Sequence, residues 1–452
     1  MKEKLVIIGG GITGLSAAYI AAKQGVEVTV LEANSDFGGL LNTFEIAGSR
    51  LEYFYHHFFT HDAEIMWLIK ELGLERELIF KNSSMGVFRD GKIFDFNKPS
   101  DLLKFSPISL FDKLKFGLSS LYLGKIADWK AYEKVTALHW LRKWAGTTTT
   151  QSLWEPLLDI KFGPYASEIP LAWMVGRMRQ RMSSREKGDE KLGYLRGSLY
   201  VLLKALINAL KSMDVRLLRE HPVKHVEIEK DTIKKVVVEG GTSFKADKFL
   251  FTVPTNLLSK WFEKEAAGLS SFLGKTEYFG AVCVILEMNK KLSDTYWLNV
   301  ADAGFPFGGV IEHTNFISPR NYRGKHIAYL SRYFAMKETL AKMDKKAIEA
   351  LMLPHLKKIY PHFTMKQIEN IYVFKTNTAA TVCDLNFSQK VPFCKTEING
   401  LYIANMNHIY PDERSTNNSI RVAAKACKAM GFSDVKVPEN ASLSGQIGFS
   451  IE

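Results

Sequence analysis

Gly9, Gly11 and Gly14 stand at the spacing of a loop that binds a diphosphate, and Glu32 follows where a carboxylate binds ribose hydroxyls. Each glycine has a mechanical role. Gly9 permits a tight turn, Gly11 lets the backbone approach a pyrophosphate, and Gly14 lets a helix pack close to a strand. The helix that opens at Ile12 and Thr13 offers free N–H groups and the positive end of its dipole. The acid at Glu32, followed by Ala33, would repel a 2′-phosphate, so the chemistry is that of FAD or NAD rather than NADP.

These residues need a strand, a helix and a second strand to hold them. The apolar run Lys4–Ile8 reads as a strand buried on both faces. Residues 15–23 read as a helix of small residues ending at Gly25, and residues 26–31 as the second strand, closed by Glu32. The whole is a compact βαβ unit.

Just past the ribose acid comes a second glycine pair, Gly38 and Gly39, followed by Leu40. With this pair the sequence resembles the glutathione-reductase-like flavoproteins, in the branch of protoporphyrinogen oxidases, flavin amine oxidases and phytoene desaturases. The resemblance implies noncovalent FAD, held by Gly9, Gly11, Ile12, Thr13, Gly14, Glu32, Ala33, Gly38, Gly39 and Leu40. It spans most of residues 1–434 and places further contacts at Val223, at Pro254 and in the segment 400–421. In that segment Asn405 and Met406 correspond to positions by the pyrophosphate, and Asn418, Ser419 and Ile420 to positions at the isoalloxazine end. The family's usual Ala-Gly-Asp or Ala-Gly-Glu is here Ala404-Asn405-Met406, which departs from the pattern at the phosphate contact.

The fold class implied is α/β. A Rossmann-like FAD-binding domain with a central parallel sheet would carry an interleaved α+β substrate domain with a helical insertion. The FAD-binding domain is expected from 1–95, 196–264 and 371–434, the substrate domain from 96–195 and 265–370, and a polar C-terminal tail from 435–452.

Candidate reacting groups are fewer. His56, His57 and His61 lie among aromatics shortly after Gly39, and His57-Phe58-Phe59 also resembles the His-x-Phe stretch of UDP-galactopyranose mutases. His57 is read as lining the substrate cavity, with structural packing as the competing assignment. His313, within Glu312-His313-Thr314-Asn315-Phe316, is the second catalytic candidate, again against a purely structural polar loop. The three early histidines do not share the one face that a helical pair would give, and no carboxylate motif matches them, so no metal is expected. Residues 280–287 lack the lysine that amine oxidases of the branch use beside the flavin.

Composition narrows the class. There are 452 residues, 46% hydrophobic and 24% charged, which excludes disordered and collagen-like chains. Four cysteines without a CxxC pair exclude zinc ribbons and a disulfide framework. A net charge of +12 points to an anionic partner, and no nucleic-acid-binding motif accompanies it. Lysines alternate with Phe, Leu and Trp along 102–143, a pattern suited to peripheral contact with an anionic membrane or to core helices with solvated lysines. The expected location is cytoplasmic, peripheral at the inner face of the membrane if the first assignment holds.

The expected activity is hydride transfer between a substrate C–H or C–N centre and flavin N5, with an apolar or lipid-linked small-molecule substrate. Two rivals stand beside it. One is a redox-neutral enzyme like the UDP-galactopyranose mutases, acting on a nucleotide sugar. The other is a non-catalytic flavin- or lipid-binding accessory protein.

Overall fold

The computed structural model describes residues 2–186, 189–439 and 443–449. Its centre is a five-stranded parallel sheet in the order Arg216–Leu218, Glu27–Leu31, Lys4–Ile8, Lys248–Phe251, Leu401–Ile403. Apolar residues fill both faces of its inner strands, which is why Leu5, Ile7, Val30, Leu250 and Phe251 are all buried. The helix Ile12–Ala22 lies close to the sheet because Ala17, Ala18 and Ala21 present almost no bulk. The C-terminal helix Thr416–Ala429 packs along it.

A seven-stranded sheet forms the second layer, in the order Ile368–Thr381, Tyr278–Met288, His326–Ala335, Gly309–Glu312, Trp297–Val300, Met85–Arg89, Lys92–Asp95. Every residue of Tyr278–Met288 is buried, as expected of a strand paired on both edges and covered on both faces. Helices Leu110–Lys125, Ala137–Trp144, Glu155–Phe162 and Leu171–Ser183 build the helical insertion. They share a core that includes Trp129, Trp140, Phe162 and Trp173.

The α/β class with a central parallel sheet and an interleaved helical insertion is what the structure shows. Two segments differ from the expected division. Met85–Arg89 and Lys92–Asp95, placed with the FAD-binding domain, add to the seven-stranded sheet because Met85–Arg89 pairs in parallel with Trp297–Val300. Within the stretch expected as a polar tail, residues 443–449 fold back onto the protein. Leu443 and Ser444 are buried, and their N–H groups both donate to Asp412 at 2.9 Å.

Candidate active site

The loop after the first strand has the geometry its glycines require. Gly9 has φ +108°, and a Cβ there would lie 2.6 Å from Thr252 Oγ1. A Cβ on Gly14 would lie 2.0 Å from the Gly9 carbonyl oxygen. Gly11 is different: a Cβ there would meet nothing within 4 Å. It caps the Ile12–Ala22 helix with no side-chain hydrogen bond, so the first N–H groups of that helix face open space. Across that space stand Gly38 and Gly39, both with positive φ, and Gly11 and Gly38 form a parallel bridge. Around Gly11 the backbone is free of side chains, as the approach of a diphosphate to a helix N-terminus requires.

Glu32 is buried at the tip of its strand, accepting from Gly10 N at 2.8 Å, Asn34 N at 2.9 Å and Asn34 Nδ2 at 2.7 Å. A carboxylate has about four acceptor positions, so a ribose hydroxyl can still be bound. The backbone of residues 218–221 runs beside it, with Glu32 N donating to Leu218 O and His221 N to Glu32 O, both at 2.9 Å. This brings Val223, the first residue of Val223–Glu229, to the same side. Ala33 follows Glu32 on the exposed rim, Leu40 lies in the short helix Gly39–Leu41, and Ile12 and Thr13 form the first turn of their helix. These residues fit the adenosine and pyrophosphate of a dinucleotide.

The C-terminal segment closes the same end of the sheet. Asn405 Nδ2 donates to Val253 O at 2.9 Å, which joins the end of Leu401–Ile403 to the turn before Pro254. Pro254 in turn caps the helix Thr255–Phe262. The amide side chain of Asn405 is therefore spent on the backbone, its Oδ1 accepting from Asn407 N at 3.1 Å. Met406 opens a short helix and packs against the core. Asn418 N donates to the capping Ser415 Oγ at 3.0 Å, Ser419 Oγ donates to Ser415 O at 2.9 Å, and Ile420 is buried. All three sit in the first turns of Thr416–Ala429.

The histidine stretch is held by a strand of two residues. Phe58 and Phe59 pair with Gly193 and Leu192, and a Cβ on Gly193 would strike the Phe58 ring at 2.2 Å. Just before them, the Tyr55 ring meets Trp297 edge-on at 4.8 Å and Tyr329 at 6.1 Å, both on the seven-stranded sheet. His57 Nδ1 lies 3.3 Å from Tyr296 Oη, and its ring packs against Phe59 and Trp297. Burial pushes the His57 imidazole down to about 4, against the pull of Glu190 and with the repulsion of Arg181 and Arg177. Burial and Arg414 hold His56 at about 3. Both rings are therefore neutral near pH 7. His61 stacks on Phe59 at 5.5 Å, away from this recess.

His313 is placed elsewhere. Its Nε2 lies 2.8 Å from Tyr322 Oη, and rings of Tyr194 and Tyr329 close over it. Burial alone lowers its imidazole to about 3. Glu312 accepts from the backbone of Leu292 and Ser293 at 2.8 Å each, so it fastens that loop. The structure thus does not bring His57 and His313 into contact: Tyr296, Phe316 and Tyr194 stand between them.

Arg177 and Arg181 act on His57 and Arg414 on His56, and neither these nor Lys161 were singled out by the sequence. Lys161 and Arg177 both ion-pair with Glu413, and Arg181 Nη1 bonds both oxygens of Glu190 at 3.0 Å. Arg414 Nη2 donates to Tyr333 Oη at 2.7 Å. Only Arg177 and Arg181, four apart on one helix, could have been paired from the sequence. Among the described residues no group of three or more His, Cys, Asp or Glu is arranged to hold a metal ion.

Residues 12–380 match the family described as flavin containing amine oxidoreductase. The 15-cis-phytoene desaturase of an Oncidium hybrid cultivar is 23% identical over 435 residues, covering 89% of this chain and 73% of that protein. Coproporphyrinogen III oxidase of Bacillus subtilis (strain 168) is 24% identical over 358 residues, 71% of each chain. In fold, a reduced UDP-galactopyranose mutase superposes with a TM-score of 0.74 at 14% identity, covering 96% of this chain and 95% of the other.

Proposed function

The chain belongs to the flavin containing amine oxidoreductase family and is an FAD-dependent oxidoreductase. From that premise we propose that it moves hydride between flavin N5 and a C–H or C–N centre of an apolar or lipid-linked substrate held between its two sheets. FAD, held noncovalently, supplies the redox chemistry when bound. The residues of the chain bind, orient and exclude water.

The observation that carries this reading is the path from Gly39 to His57. The chain leaves the diphosphate cradle and reaches, within 20 residues, a wall of Tyr55, His56 and His57 closed by Tyr296, Trp297 and Tyr329 of the other sheet. In this reading His57 lines the substrate space as a neutral group, while His313 supports its floor through Tyr194 and Tyr322. In this reading a discontinuous FAD-binding domain holds the cofactor, and a substrate domain around the seven-stranded sheet, with Met85–Arg89 and Lys92–Asp95 added to it, holds the substrate.

A lipid-linked substrate fits a second feature. Leu110, Phe111, Leu114, Leu118 and Leu121 of the helix Leu110–Lys125 are each at least 49% exposed, and their spacing puts them within about 100° of the helix circumference. Lys125 at the end of this helix is exposed, as are Lys104 and Lys130 in the short helices on either side of it in sequence. An apolar stripe flanked by lysines in sequence suits the surface of an anionic bilayer. Among the described residues no helix is long and apolar enough to cross one.

The test is an anaerobic spectral titration of the purified protein, followed near about 450 nm, where oxidised flavin absorbs. Protoporphyrinogen, amines and polyprenols serve as donors. Bleaching by one of them supports the proposal and begins to name the substrate. Turnover of a nucleotide sugar only after dithionite reduction, with no net redox, would replace it with the mutase-like reading.

A further inference from the structure

Two adjacent histidines, His56 and His57, turn to different neighbours. Tyr55 and His57 both face the seven-stranded sheet, where each packs its ring against Trp297. His56 lies between them in the chain, and among the described residues it makes no such ring contact with that sheet. Its Nδ1 lies 2.5 Å from Phe54 O, and its ring comes under the charge of Arg414. Arg414 precedes the helix Thr416–Ala429, whose first turns hold the positions expected at the isoalloxazine end. His56 therefore faces the cofactor side of the recess, and His57 its sheet side.

A carbonyl oxygen only accepts, so Nδ1 of His56 carries the ring hydrogen and Nε2 carries a lone pair. Burial and the charge of Arg414 keep this imidazole unprotonated near pH 7. The side chain is half-buried, and among the described residues its Nε2 has no hydrogen-bond partner and is not sealed off from open space. The other polar groups of the recess are engaged. Tyr333 Oη takes a hydrogen from Arg414 Nη2 at 2.7 Å, His57 Nδ1 lies 3.3 Å from Tyr296 Oη, and the Ser331 side chain meets the Tyr55 hydroxyl. His56 Nε2 is left as an open acceptor in a place mostly withdrawn from water, where an unmade hydrogen bond is costly.

Resting on the reading of this recess as the substrate side of an FAD enzyme, we propose that His56 selects the substrate, its Nε2 accepting a hydrogen bond from an N–H or O–H group on the reacting carbon or conjugated with it. The substrate class is then an alcohol, an amine or a pyrrole, and a plain hydrocarbon is excluded. As hydride leaves, positive charge builds on the carbon, and its N–H or O–H becomes a stronger donor. The hydrogen bond to Nε2 tightens at that moment beyond its strength in the ground state, which orients the carbon and lowers the barrier. No bond to His56 forms, and no proton has to cross to it.

Calorimetry on the FAD-loaded protein under nitrogen tests this with two pairs of probes, each differing by one donor: farnesol with farnesyl methyl ether, and indole with N-methylindole. Wild type should bind the donor member of at least one pair roughly 10-fold more tightly. His56→Leu should remove the difference, and His56→Gln, whose amide oxygen stands in for Nε2, should keep part of it. The ratio is taken within each variant, so a general loss of affinity cancels. Nitrogen-15 resonances of His56 in the wild type should show a protonated Nδ1 and a bare Nε2 from pH 5 to 8, whether or not a variant folds. No preference in either pair, an unchanged ratio in His56→Leu, or a protonated Nε2 at pH 7 would overturn the proposal. If the protein takes up no FAD, it is the oxidoreductase reading that fails, and the resonances of His56 still report on Nε2.

Discussion

Tyr194 donates its phenolic hydrogen to Glu52 Oε2 at 2.6 Å in the interior of the protein, 142 residues away in sequence. Leu199 N donates to the other oxygen at 2.7 Å, and Tyr329 Oη reaches the Glu52 carbonyl at 2.9 Å. Glu52 thus joins the strand Ser49–Glu52 to the strand Asp189–Leu195 through its carboxyl and to the seven-stranded sheet through its backbone carbonyl. Burial outweighs these hydrogen bonds and pushes Glu52 up to about 7.

A pH dependence follows from that position. The native state holds the Glu52 proton more tightly than the unfolded chain, whose carboxyl titrates near 4.5. The contribution of Glu52 to stability is full below about pH 4.5 and is lost as pH rises through about 7, amounting to about 3 kcal/mol. Glu52→Gln imitates the protonated form. Its melting midpoint should match wild type at pH 5 and exceed it by a few degrees at pH 8. Parallel melting curves from pH 5 to 8 would remove the assignment.

Gly11 and Gly14 should fail differently. The space around Gly11 is empty, so Gly11→Val should fold with a melting midpoint near that of wild-type protein measured without FAD, yet lose at least about 100-fold in FAD affinity, about 2.7 kcal/mol. Gly14→Ala places a methyl group on the Gly9 backbone and should lower the midpoint of the FAD-free protein as well. Flavin retention on gel filtration, beside thermal melts, separates the two. Tight FAD binding by Gly11→Val would show that the cradle lies elsewhere.

Arg421 and Glu64 form an ion pair with 2% and 0% of their side-chain surface exposed, and Asn417 Nδ2 also donates to Glu64 at 2.8 Å. Replacing the cation alone strands a buried carboxylate. Arg421→Met should cost about 3–5 kcal/mol in urea unfolding, and adding Glu64→Gln should return more than half of it. A single-variant loss under about 1 kcal/mol would contradict this.

The apolar face of Leu110–Lys125 predicts flotation with vesicles containing anionic lipid, weaker flotation with neutral ones, and loss with Leu114→Glu/Leu118→Glu. Higher salt should weaken binding through the lysines. Equal flotation of wild type and the double variant would exclude this face as the contact.

The cofactor end was legible because it is local. Gly9, Gly11, Gly14 and Glu32 belong to one βαβ unit, at the spacing a diphosphate and a ribose call for. Asn405 was visible as a departure, but the carbonyl its side chain binds, on Val253, lies 152 residues away. The cations at the substrate side were not legible: Lys161, Arg177 and Glu413 meet only when two helices and a distant loop are packed. His313 read as reactive because Glu312, Thr314 and Asn315 surround it in sequence. In space those polar neighbours fasten loops, and aromatic rings enclose the imidazole.

The parallel sheet takes its strands from far apart in sequence, from Lys4 to Ile403. A ribosome must therefore release the polypeptide past Ala429 before the last strand and the helix after it can dock. Until then the edge of Lys248–Phe251 is unpaired and the segment carrying Arg414 is missing. Nascent chains that stop short of about residue 400 have a diphosphate loop without its closing wall, and they offer an open strand edge to other chains in the cell.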